Sequence, residues 1–282
     1  DSPVSAILER VAKAKRSDSL KSLYEVRSVL SRVNGDPRTT VKIIYLDGDN
    51  ARHEVSVERS AIDDELSPAM GNFPPQFVEF EAKRLRGGVG YIRFNIFVPV
   101  LMPRILSAIT SMRDAPGIIF DLRGNPGGVG VMASGIAGRL ETSDTSLGRM
   151  RMRVGYQNFA VFHQPDAYTG KVIVLIDELS ASTSEVMAAG LQAVGRATVV
   201  GTPSAGAALP SFFQKLPTGA LFQYAIADFR TPAGTLIEGR GVSPDIEVKL
   251  SQSTLLRGED SQLDASIDQI LKNSASRPKK AA

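Results

Sequence analysis

Three serines in a run of small residues, Ser180-Ala181-Ser182-Thr183-Ser184-Glu185, are the side chains best placed to do chemistry. The apolar run at 172–176 is typical of a buried parallel strand, and the spacing over 185–194 predicts a helix. The serines therefore lie on a strand-to-helix turn, where an α/β sheet can expose a nucleophile beside unpaired helix N–H groups. The same residues also fit a helix cap, with Ser182 and Glu185 as a capping box. Both roles can coexist.

A second turn of the same kind is rich in glycine. The segment 117–123, which the pattern predicts as another buried strand, leads into Gly124-Asn125-Pro126-Gly127-Gly128, and a helical pattern follows over 129–140. Two strand-turn-helix units can face each other as a nucleophile and an oxyanion hole, because backbone N–H groups stabilise developing negative charge. An ordinary tight turn that uses glycine for its positive φ is the simpler alternative.

Six short motifs, which follow one another over about residues 88–250, make the chain resemble the C-terminal processing (tail-specific) proteases, with the tricorn core protease as a relative. The resemblance implies an α/β fold with a crotonase/ClpP-like core of repeated βα units. It also implies a serine endopeptidase that processes protein tails or unfolded polypeptides and needs no metal or organic cofactor. The motifs are Gly90-Tyr91-Ile92-Arg93-Phe94 with Phe97, Asp121 to Gly128, Ser180 to Glu185, Gly195-Arg196-Ala197 with Val199-Val200-Gly201, Tyr224 to Gly234, and Gly239-Arg240-Gly241-Val242-Ser243-Pro244-Asp245.

Carried over to this chain, the resemblance assigns two catalytic features to the two turns. Ser182, the middle serine, becomes the nucleophile. The oxyanion hole would consist of the Thr183 N–H together with the N–H of Gly127 or Gly128.

The general base that the resemblance requires is less evident. The lysine-dependent branch of the family places its base at the position of Ala207, and a methyl group cannot accept a proton. A lysine replaced by alanine is one explanation. The other is the tricorn-like branch, which uses a His oriented by a Glu, and Glu238 stands where that Glu would be. We favour the second explanation because Ala205 and Ala208 also depart from the lysine pattern.

Neither histidine of the chain is an evident catalytic base. His53 alternates with Val55 and Val57, which is typical of a solvated strand position. His163 lies in the irregular stretch before the strand of the nucleophile, where a catalytic role is the less favoured interpretation.

The pattern along the chain predicts five segments. The segment at 17–60, a helix, a turn and a hairpin, resembles the C-terminal half of a PDZ domain, a module that binds peptides along a strand edge. We infer that a stretch carrying the other half and the catalytic His is missing near Arg16 and Ser17. The segments are an N-terminal helical segment (1–16), the partial PDZ module (17–60), a linker (61–87), the protease core (88–273) and a disordered tail (274–282).

Within the core, the sequence at 141–169 predicts an irregular and polar stretch. Arg149, Arg151 and Arg153 are spaced by two, and a solvated strand face is the default interpretation of such charges.

Composition limits the function classes. The chain has 282 residues, 43% of them hydrophobic, with a net charge of +3, which is too small to argue for a nucleic-acid partner. It has no cysteine, so disulfides, thiolate nucleophiles and cysteine zinc sites are excluded. No apolar run approaches the roughly 18 residues of a membrane span. We expect a polypeptide substrate, leave a homo-oligomer open, and expect an exported protein whose signal peptide is not in this chain, with a cytoplasmic location as the alternative.

Two other function classes remain open. A peptide-binding pseudoprotease would keep the sheet and the pocket but have no base. A crotonase-type acyl-CoA enzyme would need a Glu or Asp base near the glycine-rich turn, and residues 127–138 contain no acid. The second class is therefore the less favoured.

Overall fold

The computed structural model describes residues 4–61 and 65–272. The described helices are α1 (Val4–Lys13), α2 (Asp18–Val33), α3 (Met102–Ser111), α4 (Val131–Ala137), α5 (Thr183–Ala193), α6 (Gln252–Leu256) and α7 (Ser261–Leu271). The described strands are β1 (Thr40–Leu46), β2 (Arg52–Glu58), β3 (Phe80–Arg84), β4 (Gly90–Phe94), β5 (Gly117–Asp121), β6 (Thr145–Met152), β7 (Tyr156–Val161), β8 (Lys171–Ile176), β9 (Ala197–Gly201), β10 (Ser211–Lys215), β11 (Leu221–Ala225), β12 (Ala227–Arg230) and β13 (Ile246–Glu247).

The main sheet has six strands in the order β13-β9-β8-β5-β4-β3. Its strands are parallel except for the edge strand β3. Successive side chains of a strand point to opposite faces, and helices cover both faces of this sheet. Ile173 packs in a cluster with Ile267 of α7, whereas Val174 packs in the larger cluster that contains residues of α3, α4 and α5. This double burial explains why the central strands appear in the sequence as continuous apolar runs.

The carboxyl ends of β5 and β8 meet at one edge of this sheet because the two strands are parallel neighbours, with Asp121 opposite Leu175. The glycine-rich turn leaves β5 at this edge, and the serine turn leaves β8 beside it. The topology therefore places the two predicted turns against each other, as is usual for sites in open α/β sheets.

A second sheet corrects the prediction that residues 141–169 are irregular. It has three antiparallel strands in the order β12-β6-β7 and packs against α5. Phe159 and Phe229 are buried in this layer and meet edge to face at 5.6 Å. The other face of the sheet is polar, so the apolar residues were too few for a sequence pattern to reveal the strands.

The N-terminal elements were predicted at close to their observed places. Helix α1 and helix α2 are present, and β1 and β2 form the predicted hairpin. All residues of β2 are exposed, and a two-stranded hairpin of this kind is at best marginally stable alone. The PDZ assignment and the missing stretch both stay predictions.

The predicted linker 61–87 is wrong at its C-terminal end. Residues Phe80–Arg84 form β3, which pairs antiparallel with β4 at the edge of the main sheet. Edge strands often carry charged residues, so the segment Phe80-Glu81-Ala82-Lys83-Arg84 resembles a solvated connection in sequence. The helix predicted over 129–140 is shorter, at Val131–Ala137. The tail predicted at 274–282 lies outside the described residues.

Candidate active site

Ser182 lies at the first turn of α5 in a backbone conformation that residues other than glycine seldom adopt. Its φ is 54° and its ψ is −116°. Such a conformation costs on the order of 1–3 kcal/mol and persists only where the surroundings impose it. Ser182 is partly exposed, whereas Ala181 and Thr183 on either side are buried. The strained turn thus presents this one serine at the surface, as in a nucleophile elbow.

Two acceptors hold the backbone of Ser182 in this conformation. Its N–H donates to the Ala207 carbonyl oxygen and to Glu185 Oε2, each at 3.0 Å. The bond to Ala207 ties the serine turn to the loop at 204–208. This loop is the third segment of the site, next to the two turns that the sequence predicts.

Asn125 joins the glycine-rich turn to the serine turn. Its backbone carbonyl oxygen accepts from the Ala181 N–H at 3.1 Å and from Ser184 Oγ at 2.9 Å. Its buried side chain donates to the Phe94 carbonyl oxygen at 2.8 Å. Ser180 adds a further link, because its Oγ donates to the Leu122 carbonyl oxygen at 2.7 Å. The two turns are therefore fixed by polar contacts that are buried from water.

The N–H groups beside Ser182 differ in whether they are engaged. The Gly127 N–H donates to Asn125 Oδ1 at 2.9 Å. The N–H groups of Gly128 and Thr183 have no hydrogen-bond partner among residues 4–61 and 65–272. The Phe97 N–H donates to the Gly127 carbonyl oxygen at 2.8 Å and so orients the peptide that carries the Gly128 N–H. Of the two alternatives for the glycine donor, Gly128 is the one whose N–H is unengaged.

Close approach of backbones requires glycine at both positions. A Cβ on Gly127 would lie 2.6 Å from the Ser182 Cβ, and its φ is +99°. A Cβ on Gly128 would lie 2.2 Å from the Phe97 carbonyl oxygen, and its φ is +136°. A side chain on Gly127 would push the two turns apart, and one on Gly128 would push the glycine-rich turn away from Phe97.

Glu185 is a buried carboxylate that joins the serine turn to the loop at 204–208. Its Oε2 accepts from the N–H groups of Ser182 and Ala207, both at 3.0 Å. Its Oε1 accepts from Ser204 Oγ at 2.6 Å and from the Gly206 N–H at 2.8 Å. Burial raises the pKa of Glu185 to about 7, although these four hydrogen bonds act in the opposite direction. The capping box predicted from sequence is one part of this larger role.

Glu238 contacts the same loop from the other side. Its Oε2 accepts from the Ala208 N–H at 2.8 Å, and burial raises its pKa. Among the residues that the structure describes, its hydrogen bonds go to this loop and not to Ser182. The structure therefore places Glu238 beside the site as a carboxylate that binds the loop, and its predicted role of orienting a catalytic His stays a proposal.

A general base for Ser182 is not found in the described part of the chain. Ala207 is adjacent through its backbone, but its methyl side chain cannot accept a proton. His53 Nε2 pairs with Asp47 at 2.6 Å, and His163 Nδ1 pairs with Asp144 at 2.7 Å. Both histidines are exposed and neither contacts Ser182.

Helix α2 packs directly on the serine turn and the adjoining loop. Leu23 is buried in a small cluster with Ala181 and Ala205. At the start of the helix, Ser19 Oγ donates to the Gly239 carbonyl oxygen at 3.3 Å. The segment predicted as part of a separate module thus covers one side of the candidate site, a contact that no local sequence pattern indicates.

A buried network of ion pairs lies where the glycine-rich turn leaves β5. Asp121 is fully buried and pairs with Arg123 at 2.6 Å and with the Tyr91 hydroxyl at 2.8 Å. Arg123 also pairs at 2.8 Å with Asp260, the residue that caps α7. Sequence reasoning used Asp121 and Arg123 only as parts of a motif and did not assign them this role.

The described residues show no group of three or more His, Cys, Asp or Glu side chains arranged to hold a metal ion. Within the same ranges, no helix is long and apolar enough to cross a lipid bilayer.

The comparison with protein families agrees with this geometry. The model of peptidase family S41 matches residues 88–248, more than half of the chain, and this range contains both turns and the loop at 204–208. The chain belongs to peptidase family S41. The family that the six sequence motifs predicted is therefore confirmed.

Among S41 relatives, the chain is 29% identical over 244 residues to a carboxyl-terminal-processing protease of Synechocystis sp., covering 84% of this chain and 55% of that protein. It is 30% identical over 159 residues to the protein of the same name in Picosynechococcus sp., covering 56% of this chain and 38% of that protein. The chain thus spans about half the length, or less, of these curated relatives.

Solved structures show the same fold. Mature CPAF has a TM-score of 0.68 at 17% identity, covering 96% of this chain and 76% of that chain. The photosystem II D1 C-terminal processing protease has a TM-score of 0.58 at 22% identity, covering 81% and 59%. These likenesses support a mixed α/β fold of the S41 type, and the finer crotonase-like assignment and the tricorn-like branch stay predictions.

Proposed function

We propose that the chain is the catalytic part of a serine endopeptidase that acts on protein tails or unfolded polypeptides. The observation that carries this proposal is the strained, partly exposed Ser182 beside two unengaged N–H groups, on Thr183 and Gly128. Membership of the S41 family and the names of the curated relatives support the reaction class and the substrate class.

The reaction would be acyl transfer. A base removes the Ser182 hydroxyl proton, and the oxygen attacks a peptide carbonyl carbon to form a tetrahedral intermediate. The Thr183 and Gly128 N–H groups stabilise the negative oxygen, and loss of one such donor typically costs about 10²–10³ in rate. The leaving amine takes a proton, the acyl group stays on Ser182, and water then releases it. No metal or organic cofactor enters these steps.

In this proposal the base comes from outside the described residues. The chain spans about half the length, or less, of its curated relatives. Glu238 would orient a histidine supplied in this way, because its carboxylate already lies against the loop that contacts Ser182. Residues 17–60 would contribute the peptide-binding half module, and export from the cytoplasm remains part of the proposal.

A catalytically inactive peptide-binding pseudoprotease is the second candidate. The observation in its favour is that neither His53 nor His163 contacts Ser182 and that residue 207 is alanine.

Labelling with a fluorophosphonate probe separates the two candidates, because the probe reacts only with an activated serine. We expect labelling of the protein and its loss in Ser182→Ala, with Ser31→Ala as the control. Ser31 is exposed near the end of α2, and its Oγ donates to the Ser28 carbonyl oxygen of the same helix. Labelling that persists in Ser182→Ala would contradict the assignment of Ser182 as the nucleophile.

Absence of labelling in the unmodified protein would favour the pseudoprotease. The variant Ala207→Lys then adds a base at the position where the lysine-dependent branch has one. Labelling that appears in Ala207→Lys and disappears in the double variant with Ser182→Ala would show that the nucleophile and the oxyanion hole are intact and that only the base was lacking.

A further inference from the structure

An open cavity of about 670 Å³ lies on the three-stranded sheet formed by β12, β6 and β7. Three arginines line it, Arg149 and Arg151 from β6 and Arg230 from β12, together with Tyr156 from β7. The sequence pattern marked Arg149 and Arg151 only as a solvated face. The proposed peptidase mechanism uses none of these side chains.

The strand register places like charges opposite each other in this cavity. Arg230 pairs with Arg149 across β12 and β6, and side chains at directly opposed positions point to the same face. Like charges at such positions destabilise a sheet. An anion bound between Arg149 and Arg230 would offset this repulsion.

The negative charge in the cavity is too small to neutralise the three arginines. Asp228 is the one carboxylate that pairs with them in the described chain, and its Oδ2 is shared by Arg151 at 2.8 Å and Arg230 at 3.4 Å. The Arg149 side chain makes no hydrogen bond or ion pair with residues 4–61 or 65–272. Its guanidinium lies 5.8 Å from the Tyr156 ring, which leaves its N–H donors directed to solvent.

A guanidinium group matches a carboxylate in shape and charge, because two parallel N–H groups can donate to its two oxygens. The cavity also has apolar surface, since its lining residue Tyr156 is 64% exposed. Val154, next to the lining residue Gly155 at the tip of the β6–β7 hairpin, is 85% exposed. A small inorganic anion would leave this surface unused, whereas a peptide with acidic and apolar side chains would cover it. Strand β12 also continues through the turn at 231–236 to Glu238, so the cavity adjoins the segment that binds the site loop.

We propose that this arginine-lined cavity binds the carboxylates of an acidic polypeptide segment. The binding does not require chemistry at Ser182, so it goes beyond the proposed peptidase function. It would let the protein hold an acidic stretch of polypeptide on the second sheet while another part of a chain lies at the serine turn.

The test is binding of a fluorescein-labelled octapeptide of Glu, Asp and Leu, followed by fluorescence anisotropy in the Ser182→Ala protein so that no cleavage interferes. A matched peptide replaces Glu by Gln and Asp by Asn. We expect the acidic peptide to bind at least tenfold more tightly than the amide peptide. Equal affinities would overturn the proposal.

Variants at two arginines locate the site. Arg149→Gln is expected to weaken binding of the acidic peptide about tenfold, because it removes a charged donor to the peptide carboxylate. Arg149→Lys keeps the charge but cannot make the bidentate contact of a guanidinium. Its affinity for the acidic peptide should therefore lie between those of the parent protein and Arg149→Gln. Arg153→Gln is the matched control, since Arg153 is exposed at the tip of the same hairpin and does not line the cavity. Equal losses in Arg149→Gln and Arg153→Gln would mean a general charge effect and would contradict the proposal.

Thermal unfolding and competition with phosphate test the role of Arg149 and the size of the bound anion. The Arg149 guanidinium has no ion-pair partner in the described chain to lose, and its replacement relieves the repulsion of Arg230, so Arg149→Gln should unfold at the temperature of the parent protein or slightly above it. A large destabilisation would show a structural role instead. Inorganic phosphate is added while chloride keeps the total ionic strength at about 150 mM. Under these conditions phosphate should compete only weakly with the labelled peptide. If phosphate displaces the peptide at equal or lower concentration than an unlabelled acidic peptide does, the cavity is a site for small anions and the polypeptide proposal fails.

Discussion

Replacing Glu185 by Gln tests how the buried carboxylate contributes to the site. The ordinary pKa of a glutamate is 4.5, and burial raises that of Glu185 to about 7. The folded protein therefore holds this proton more tightly than the unfolded chain does. The contribution to stability is fully present below pH 4.5 and is lost as the pH rises to about 7. A shift of this size corresponds to about 3 kcal/mol.

The assay is urea unfolding followed by circular dichroism for the parent protein and for Glu185→Gln. Glutamine does not titrate, so the difference between the two free energies of unfolding removes the contributions of all other groups. From about pH 4.5 to about pH 8, the parent protein should lose about 3 kcal/mol of stability relative to the variant. Glu178→Gln is the matched control for the loss of a carboxylate, because Glu178 lies on the same turn but is only half-buried.

A difference that stays flat, or that grows in favour of the parent protein as the pH rises, would refute this reasoning. It would show that the four hydrogen bonds to the Glu185 carboxylate outweigh its burial.

The site offers a second measurement at about pH 8, where the parent carboxylate is ionised. In Glu185→Gln an amide nitrogen replaces one carboxylate oxygen and cannot accept, so buried donors of the loop lose an acceptor at about 1–3 kcal/mol each. Fluorophosphonate labelling of Ser182 should therefore slow at least tenfold in this variant.

Three further substitutions test the supports of the site. Gly127→Ala should abolish labelling of Ser182 with helix content retained in circular dichroism, because the added methyl group would lie 2.6 Å from the serine Cβ; unchanged labelling would contradict the close approach. Leu23→Ala should lower the free energy of unfolding by about 2–5 kcal/mol in urea, because the side chain is only 2% exposed; a loss below about 1 kcal/mol would mean that α2 does not pack on the serine turn. Arg123→Gln should cost up to about 3–5 kcal/mol in the same assay, because the buried Asp121 would lose its ion pair at 2.6 Å and keep the longer one with Arg93 at 3.4 Å; a neutral effect would mean that Arg93 alone balances the Asp121 charge.

The sequence was sufficient to predict the two turns because each follows a strand that is buried on both faces and precedes a helix. Both patterns are local and locate the two turns, whereas the choice of Ser182 and of Gly127 or Gly128 within them came from the family resemblance. The contacts that complete the site are not local. Glu185 reaches Gly206, 21 positions along the chain, and this distance has no periodic signal. The same limit applies to Leu23, whose position against the serine turn depends on how the helix docks.

Strands with one solvated face were the elements that the pattern did not reveal. In β6 the arginines alternate with residues that pack on α5, but the glycine at 148 and the shift of register near Ser146 interrupt the alternation. In β3 the charged residues are those expected at a sheet edge. One residue out of phase is enough to hide an alternation of apolar and polar residues over five to eight positions. The central residues of β5 and β8 are apolar without interruption, so their pattern is easier to recognise.

The loop at 204–208 shows why an intact site can coexist with alanine at position 207. The Ala207 carbonyl oxygen accepts from Ser182, and its N–H donates to Glu185. The neighbouring Ala208 N–H donates to Glu238. All of these contacts use the backbone of the loop, and the Ala207 side chain in addition packs against the cluster of Leu23, Ala181 and Ala205. In the proposed mechanism the oxyanion hole and the base would therefore be separable parts of the site, because these backbone contacts do not require a particular side chain at 207.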